Sequence, residues 1–279
     1  RRYNPAARSY FTWVSIVGYV LTKISVTLFA GGVVMRAVTG YDFWTSAAIL
    51  IVITGLYTIF GGLRAVIYTE VLQAVVLIVG SVTLMFIGLQ AGGGGWRLKA
   101  VASPVYFDMG KPSSDKDCPW TGIVFWATIR GIWYWCTDQH IVQRVLAAKN
   151  IQDARRGTIF AGYLKILPVF IFVLPGIIAA ALYADVRGGQ ADSAYPILVT
   201  RLLPIGFKGL VLAGMLAALM SSLASAFNSV STLLTWAVYR KWRPGASEAR
   251  LVLVGRLTPG VLVGVGVRWV PRRRYVSAA

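Results

Sequence analysis

The chain has 279 residues, 57% of them hydrophobic and only 14% charged, with a net charge of +18 and a mean hydropathy of +0.65. Soluble domains carry about 25% charged residues, and here long apolar runs alternate with short charged ones, so the composition argues against a soluble enzyme and for a multi-span membrane protein. The Lys and Arg residues fall mostly in short joints and not along one polar face, which points to positive-inside bias and anionic lipid headgroups and away from nucleic acid.

The opening RRYNPAARSYF is a basic lead-in without the charged, apolar and cleavage-site order of a secretory signal. At roughly 20 residues per span, the apolar runs predict about seven spans, at 10–38, 44–60, 66–91, 119–139, 158–183, 207–238 and 251–270. The second is short, and the sixth is long enough to tilt or project past the bilayer. GGGG at 92–95 and KPSSDKD at 111–117 read as turn and loop chemistry. The expected fold class is therefore all-α and polytopic, with no soluble domain boundary. Basic residues mark one set of joints: Arg1, Arg2 and Arg8, then Arg64, then Arg144, Lys149, Arg155 and Arg156, then Arg240, Lys241, Arg243 and Arg250. With alternating spans these share one side, which makes that side cytoplasmic and puts residue 1 there.

Charges inside a bilayer are costly and usually face a bundle interior or a water-filled cavity. Lys23, in YVLTKISVTLF, pairs with an acid across the bundle or bonds backbone carbonyls. Glu70, with Thr69 and Gln73 close by, helps hold a cation or pairs with Arg64, although a spacing of six is poor for a helix pair. Arg130 lies deep in its span, and Gly131 beside it invites a helix break that frees backbone groups to line a cavity. Trp133, Tyr134 and Trp135 read as an interfacial belt or as a stacking surface for a sugar-like ring. Asp138, beside His140, reads as a snorkelling acid at the inner end of the fourth span. Lys165 bonds a polyhydroxylated substrate or an internal acid, or snorkels to the interface. Cys118 and Cys136 have no metal or redox spacing, and Cys136 is expected to pack within its membrane run.

The run ALMSSLASAFNS, 218–229, places Ser221, Ser225 and Ser229 four apart on one helical stripe, with Ser222 and Asn228 at its flanks and Thr232 beyond. Small residues of this kind let membrane helices pack closely. They also supply oxygen ligands for a hard cation such as Na⁺, without a full charge that would hinder release. A backbone carbonyl such as that of Ala218 would complete the shell. Spacing does not separate the two readings.

Three segments carry a resemblance: LYTIFGGLRAVIYTEVLQ, the long run from IWYWCTDQH to FVLPG, and MLAALMSSLASAFNSVSTLLT with YRKWRPGASEARLVLVGR. Together, and in this order, they resemble the solute:sodium symporter family in its sodium/glucose cotransporter branch. The resemblance implies a LeuT-like fold of two inverted helical repeats working by alternating access. Residues 1–270 would form a transporter domain running from the third core helix into the ninth, and 271–279 a divergent basic tail. It implies a principal Na⁺ site at the carbonyl of Ala218 with Ser221 and Ser222, completed by a core helix that precedes this segment. A second Na⁺ site would use Glu70, Ser222 and Ser225, with Glu70 standing where the family usually has Asp. Tyr134 matches a gate tyrosine that stacks under sugar, Trp135 stands beside it, and Lys165 matches a lysine that bonds sugar hydroxyls. The implied function is sodium-coupled symport of a sugar or polyol across the plasma membrane. Another small solute, such as an amino acid or a monocarboxylate, or a membrane sensor module, are the alternatives. No nucleophile–base pair, metal cluster or phosphate loop points to an enzyme, and no cofactor is expected besides Na⁺ as coupling ion.

Overall fold

The apolar runs are bounded by residues that start and stop helices, and the computed structural model places helix ends there. It describes residues 4–102, 106–107, 110–115, 119–187 and 191–269; of 62–65, 187 and 269 the backbone alone is described. Cys118, Arg1, Arg2 and the expected tail 271–279 lie outside the described residues. Asn4 caps the first helix: its Oδ1 accepts from the Ala7 N–H at 2.7 Å, with Pro5 preset for the first turn. Gly40, at φ 75°, ends that helix in the left-handed region open to a residue without Cβ. Asp42 then opens the next, its Oδ2 accepting from the N–H groups of Trp44 and Thr45 at 2.9 and 3.0 Å.

Among the described residues, six helical segments are long and apolar enough to cross a membrane: Pro5–Thr39, Phe43–Gly61, Val66–Ala91, Ile151–Leu182, Ile205–Trp242 and Glu248–Arg268. The other expected span, 119–139, forms the 17-residue helix Trp120–Cys136, at the short end of what spans a bilayer. The backbone is helical throughout Phe43–Ala91, yet Tyr57 Oη and Thr69 Oγ1, twelve residues apart, lie within 2.5 Å. Twelve residues of straight helix rise about 18 Å, so the chain doubles back at the expected GGLRA joint.

Several local expectations are corrected. Gly131 does not break its helix, which runs unbroken from Trp120 to Cys136. The break falls at Lys165, between Ile151–Leu164 and the wide turn Val169–Val173. Pro168 explains it: its ring has no N–H to bond back and crowds the carbonyl four residues earlier. The glycine run is only partly loop, because Gly94–Val101 forms a helix after Gly93 and Gly94 take φ 80° and 88°. Cys136, expected to pack, is exposed at the last position of its helix.

The chain divides into two compact units, Arg1–Gly80 with Ile205–Ala279, and Ser81–Pro204. In the first, the serine-bearing helix Ile205–Leu233 packs against Ser25–Thr39 and Glu248–Trp269. Its apolar face brings Leu223, Phe227 and Val230 against Tyr19, Leu28 and Ile51. In the second, Ala194–Leu202 packs on Leu174–Leu182, and Tyr195 Oη lies 2.6 Å from Ser81 Oγ.

Phe227 is wholly buried in the first core. Phe227→Ala is expected to lower stability by about 3 kcal/mol, on the scale of buried aromatic truncations, with Phe227→Leu costing less; unfolding in mixed detergent micelles measures both. At Asp42 the Thr45 hydroxyl, followed by the Thr45 and Trp44 N–H groups, holds the carboxyl below its usual range. A lowered native value stabilises the folded form above about pH 4, and that contribution is lost as pH falls through the native value. Amide exchange at Trp44 and Thr45, corrected for intrinsic rate, is therefore expected to quicken on acidification in the wild type and to lose this pH dependence in Asp42→Asn.

Candidate functional site

In the first unit, the helix Val66–Ala91 and the serine helix run antiparallel. Their register is set where glycine removes a side chain. A Cβ at Gly80 would stand 2.5 Å from Val211 Cγ2, and one at Gly214 would stand 3.1 Å from Val76 Cγ1. Residue numbers rise on one helix as they fall on the other, and further along this seam stands Glu70. Its Oε1 accepts from Ser221 Oγ at 2.7 Å and from Ser225 Oγ at 2.9 Å. Ser225 is fully buried and Ser221 nearly so. One turn on, Ser229 Oγ donates to the Ser225 carbonyl at 2.8 Å, and Thr232 Oγ1 to that of Asn228 at 2.8 Å. The stripe is thus divided: its first two hydroxyls reach across to the carboxylate, and the later ones bond back to their own helix. Ala218 is half-buried one turn before Ser221, and Ser222 is exposed. The result is a cluster of oxygens, one of them anionic, set in an otherwise apolar helix pair. Chemically it suits a hard cation or a proton.

In the second unit, Tyr134, Trp135 and Lys165 meet. The Lys165 ammonium lies 4.0 Å from the centre of the Tyr134 ring. The Tyr134 and Trp135 rings stand edge to face, with centroids 5.4 Å apart. Tyr134 and Trp135 are half-buried, and Lys165 is exposed. An aromatic face beside a cationic donor suits a ligand with C–H faces and hydroxyl groups.

The sequence pattern of the sodium:solute symporter family matches residues 1–277. The chain belongs to the sodium:solute symporter family. Among similar proteins are a sodium/glucose cotransporter 4 of Danio rerio, 40% identical over 95% of this chain and 45% of its own length, and a sodium/mannose cotransporter of Bos taurus, 43% identical over 95% and 50%. A sodium/myo-inositol cotransporter of Canis lupus familiaris is 41% identical over 94% and 42%. The chain therefore spans about half the length of these relatives. A solved structure, the substrate-bound outward-open state of a Na⁺-coupled sialic acid symporter, superposes with a TM-score of 0.80 at 20% identity, over 94% of this chain and 56% of that one. The likeness shows the fold, an all-helical LeuT-like bundle, and this member of the symporter family is a multi-pass membrane protein.

The remaining polar residues of this symporter segment take other places. Lys23 sits half-buried in a widened turn of the first helix, its ammonium 4.7 Å from the centre of the Tyr19 ring. Arg130 is exposed, its guanidinium 4.8 Å from the Trp126 ring centre. Asp138 is 1% exposed, which overturns the snorkelling reading. It caps the helix Gln139–Leu146, its carboxylate accepting from the His140 N–H at 3.2 Å. The Arg64 side chain lies outside the described residues. Thr69 Oγ1 lies 2.5 Å from Tyr57 Oη and donates to the Val66 carbonyl at 3.0 Å.

The direct bond from Ser221 to Glu70 is what sequence reasoning missed, because the resemblance grouped Glu70 with Ser222. The signal was the spacing. Residues 221 and 225 share a helical stripe, and 222 stands about 100° around from 221. Close approach at the glycines holds this pairing. Gly80→Ala is expected to cost about 1–3 kcal/mol by overpacking, and Val211→Ala added to it should recover most of the loss; thermal unfolding of the two variants checks this.

Proposed function

We propose that this chain forms part of a sodium-coupled symporter for a sugar or polyol, in the glucose, galactose or inositol class. The observation that carries the proposal is the oxygen cluster of half-buried Glu70 with buried Ser221 and Ser225 within helices long and apolar enough to cross a membrane. Buried oxygens of this kind are built to replace the water around an alkali cation. The names of the relatives, cotransporters of sodium with glucose, mannose or myo-inositol, support the same pairing of ion and cargo.

In this reading Na⁺ binds the Ala218 carbonyl with the hydroxyls of Ser221 and Ser222. The exposed Ser222 hydroxyl gives the ion its approach. Tyr134 and Trp135 lie against the C–H face of the cargo, and Lys165 donates to its hydroxyls. Glu70 and Ser225 support the ion site from within the helix pair. Ion entry favours the state that accepts cargo from outside, and release inward frees both. A cation moving down the membrane potential contributes about 2.3 kcal/mol per 100 mV, and its concentration gradient adds to this. The cycle needs no cofactor besides the coupling ion. The protein sits in the plasma membrane, and the basic joints at Arg8, Arg144 and Arg240 face the cytoplasm with residue 1.

The test is uptake of labelled glucose, galactose, mannose and myo-inositol into vesicles holding the full-length protein, with Na⁺ or choline outside. Uptake of one of these cargoes is expected to rise several-fold with an inward Na⁺ gradient, and Ser221→Ala with Ser222→Ala is expected to abolish the rise. Uptake that ignores Na⁺ sinks the proposal.

A further inference from the structure

Both Glu70 bonds end on the same carboxylate oxygen, Oε1, at 2.7 Å from Ser221 Oγ and 2.9 Å from Ser225 Oγ. These are O–H···O lengths. In each bond the serine hydroxyl donates and the carboxylate oxygen accepts. The hydroxyl proton then lies on the line between the two oxygens, in the space an ion would need if carboxylate and hydroxyl held it together. Ser221, its O–H directed at Glu70, keeps its lone pairs for the side away from Glu70. The Glu70 side is closed by the packed helix Val66–Ala91, whereas Ser222, the next hydroxyl on the serine helix, is exposed. A cation therefore meets Ser221 on its lone-pair side.

We infer that Glu70 is a positioning residue for the cation site and not one of its ligands. It accepts the Ser221 hydrogen bond, fixes the rotamer of that hydroxyl, and raises the electron density on the oxygen that faces the ion. Ser225 anchors the same carboxylate oxygen from one turn away, so the acceptor cannot swing out of line. A carboxylate that hydrogen-bonds a metal ligand commonly acts in this way, and its loss weakens metal affinity about 10–100-fold. The inference rests on the sodium reading above and assigns Glu70 a role there.

Two measurements on the full-length protein test it: the Na⁺ dependence of cargo uptake, as half-saturating concentration and Hill coefficient, and the rise in melting temperature on adding Na⁺ without cargo. Glu70→Gln keeps the side-chain length and an acceptor oxygen but removes the charge. It is expected to melt as the wild type does without Na⁺, to need about tenfold more Na⁺ in both measurements, and to keep the wild-type Hill coefficient. Glu70→Asp, charged but one methylene too short to reach both serines, should show the same weakening, and it keeps the test alive if Glu70→Gln fails to fold. Two outcomes overturn the inference: Na⁺ dependence unchanged in both variants, or a fall in the Hill coefficient at constant half-saturation, which would make Glu70 itself an ion ligand. Wild-type uptake indifferent to Na⁺ would instead bring down the sodium reading, and it shows before any substitution is made.

Discussion

A carboxylate half-buried in an apolar helix pair must find donors, because it has lost part of its water and hydrocarbon replaces none of it. Two of the donors to Glu70, Ser221 and Ser225, lie on one helix a single turn apart. That demand fixes which face of the serine helix turns inward at this depth. It also fixes the depth itself, since a slip of one residue would turn Ser221 and Ser225 away from the carboxylate. Other features of the first unit follow from it: Ser222 outside, Ser229 bonded back to its own helix, and Phe227 in the core on the adjoining face.

Helices do not approach closely enough for such short bonds unless something small lies between them. Gly80 and Gly214 supply that on either side of the seam, where an added Cβ would meet Val211 or Val76. In a membrane, where lipid tails compete equally for apolar side chains, close packing and hydrogen bonds are what hold helices together. Here the two act on the same pair of helices. The serine run packs closely, as one of its sequence readings has it, and its first hydroxyls make polar contact across the seam.

The second unit uses a different device, the end of a helix. Pro168 stops the regular backbone bonding, and Lys165 becomes the residue that closes Ile151–Leu164. A cation is favoured there by the exposed carbonyls of the last turn. The same position lets its ammonium lie over Tyr134. Asp138 does the reverse at the start of Gln139–Leu146, where an anion meets free N–H groups. Charges that look out of place in an apolar sequence are in both cases seated at helix ends, where the backbone itself is polar.

Much of this was legible in the sequence. The bilayer admits few solutions, so long apolar runs with basic joints read directly as spans. The runs at 44–60 and 66–91 are found helical from Phe43 to Ala91. Caps such as Asn4 and Asp42 lie within three residues of the groups they serve, and local chemistry announces them. The family likeness likewise grouped Tyr134, Trp135 and Lys165 before their contacts were known. What the sequence left open was rotation. Each helix residue turns about 100° from the last, so neighbours such as Ser221 and Ser222 face different surroundings. Packing alone selects which of them meets Glu70, some 150 residues away. The sequence by itself determined which long segments are helices, because hydropathy and backbone hydrogen bonding act locally. Only the tertiary structure decided which faces meet, because that depends on how side chains from distant segments fit together.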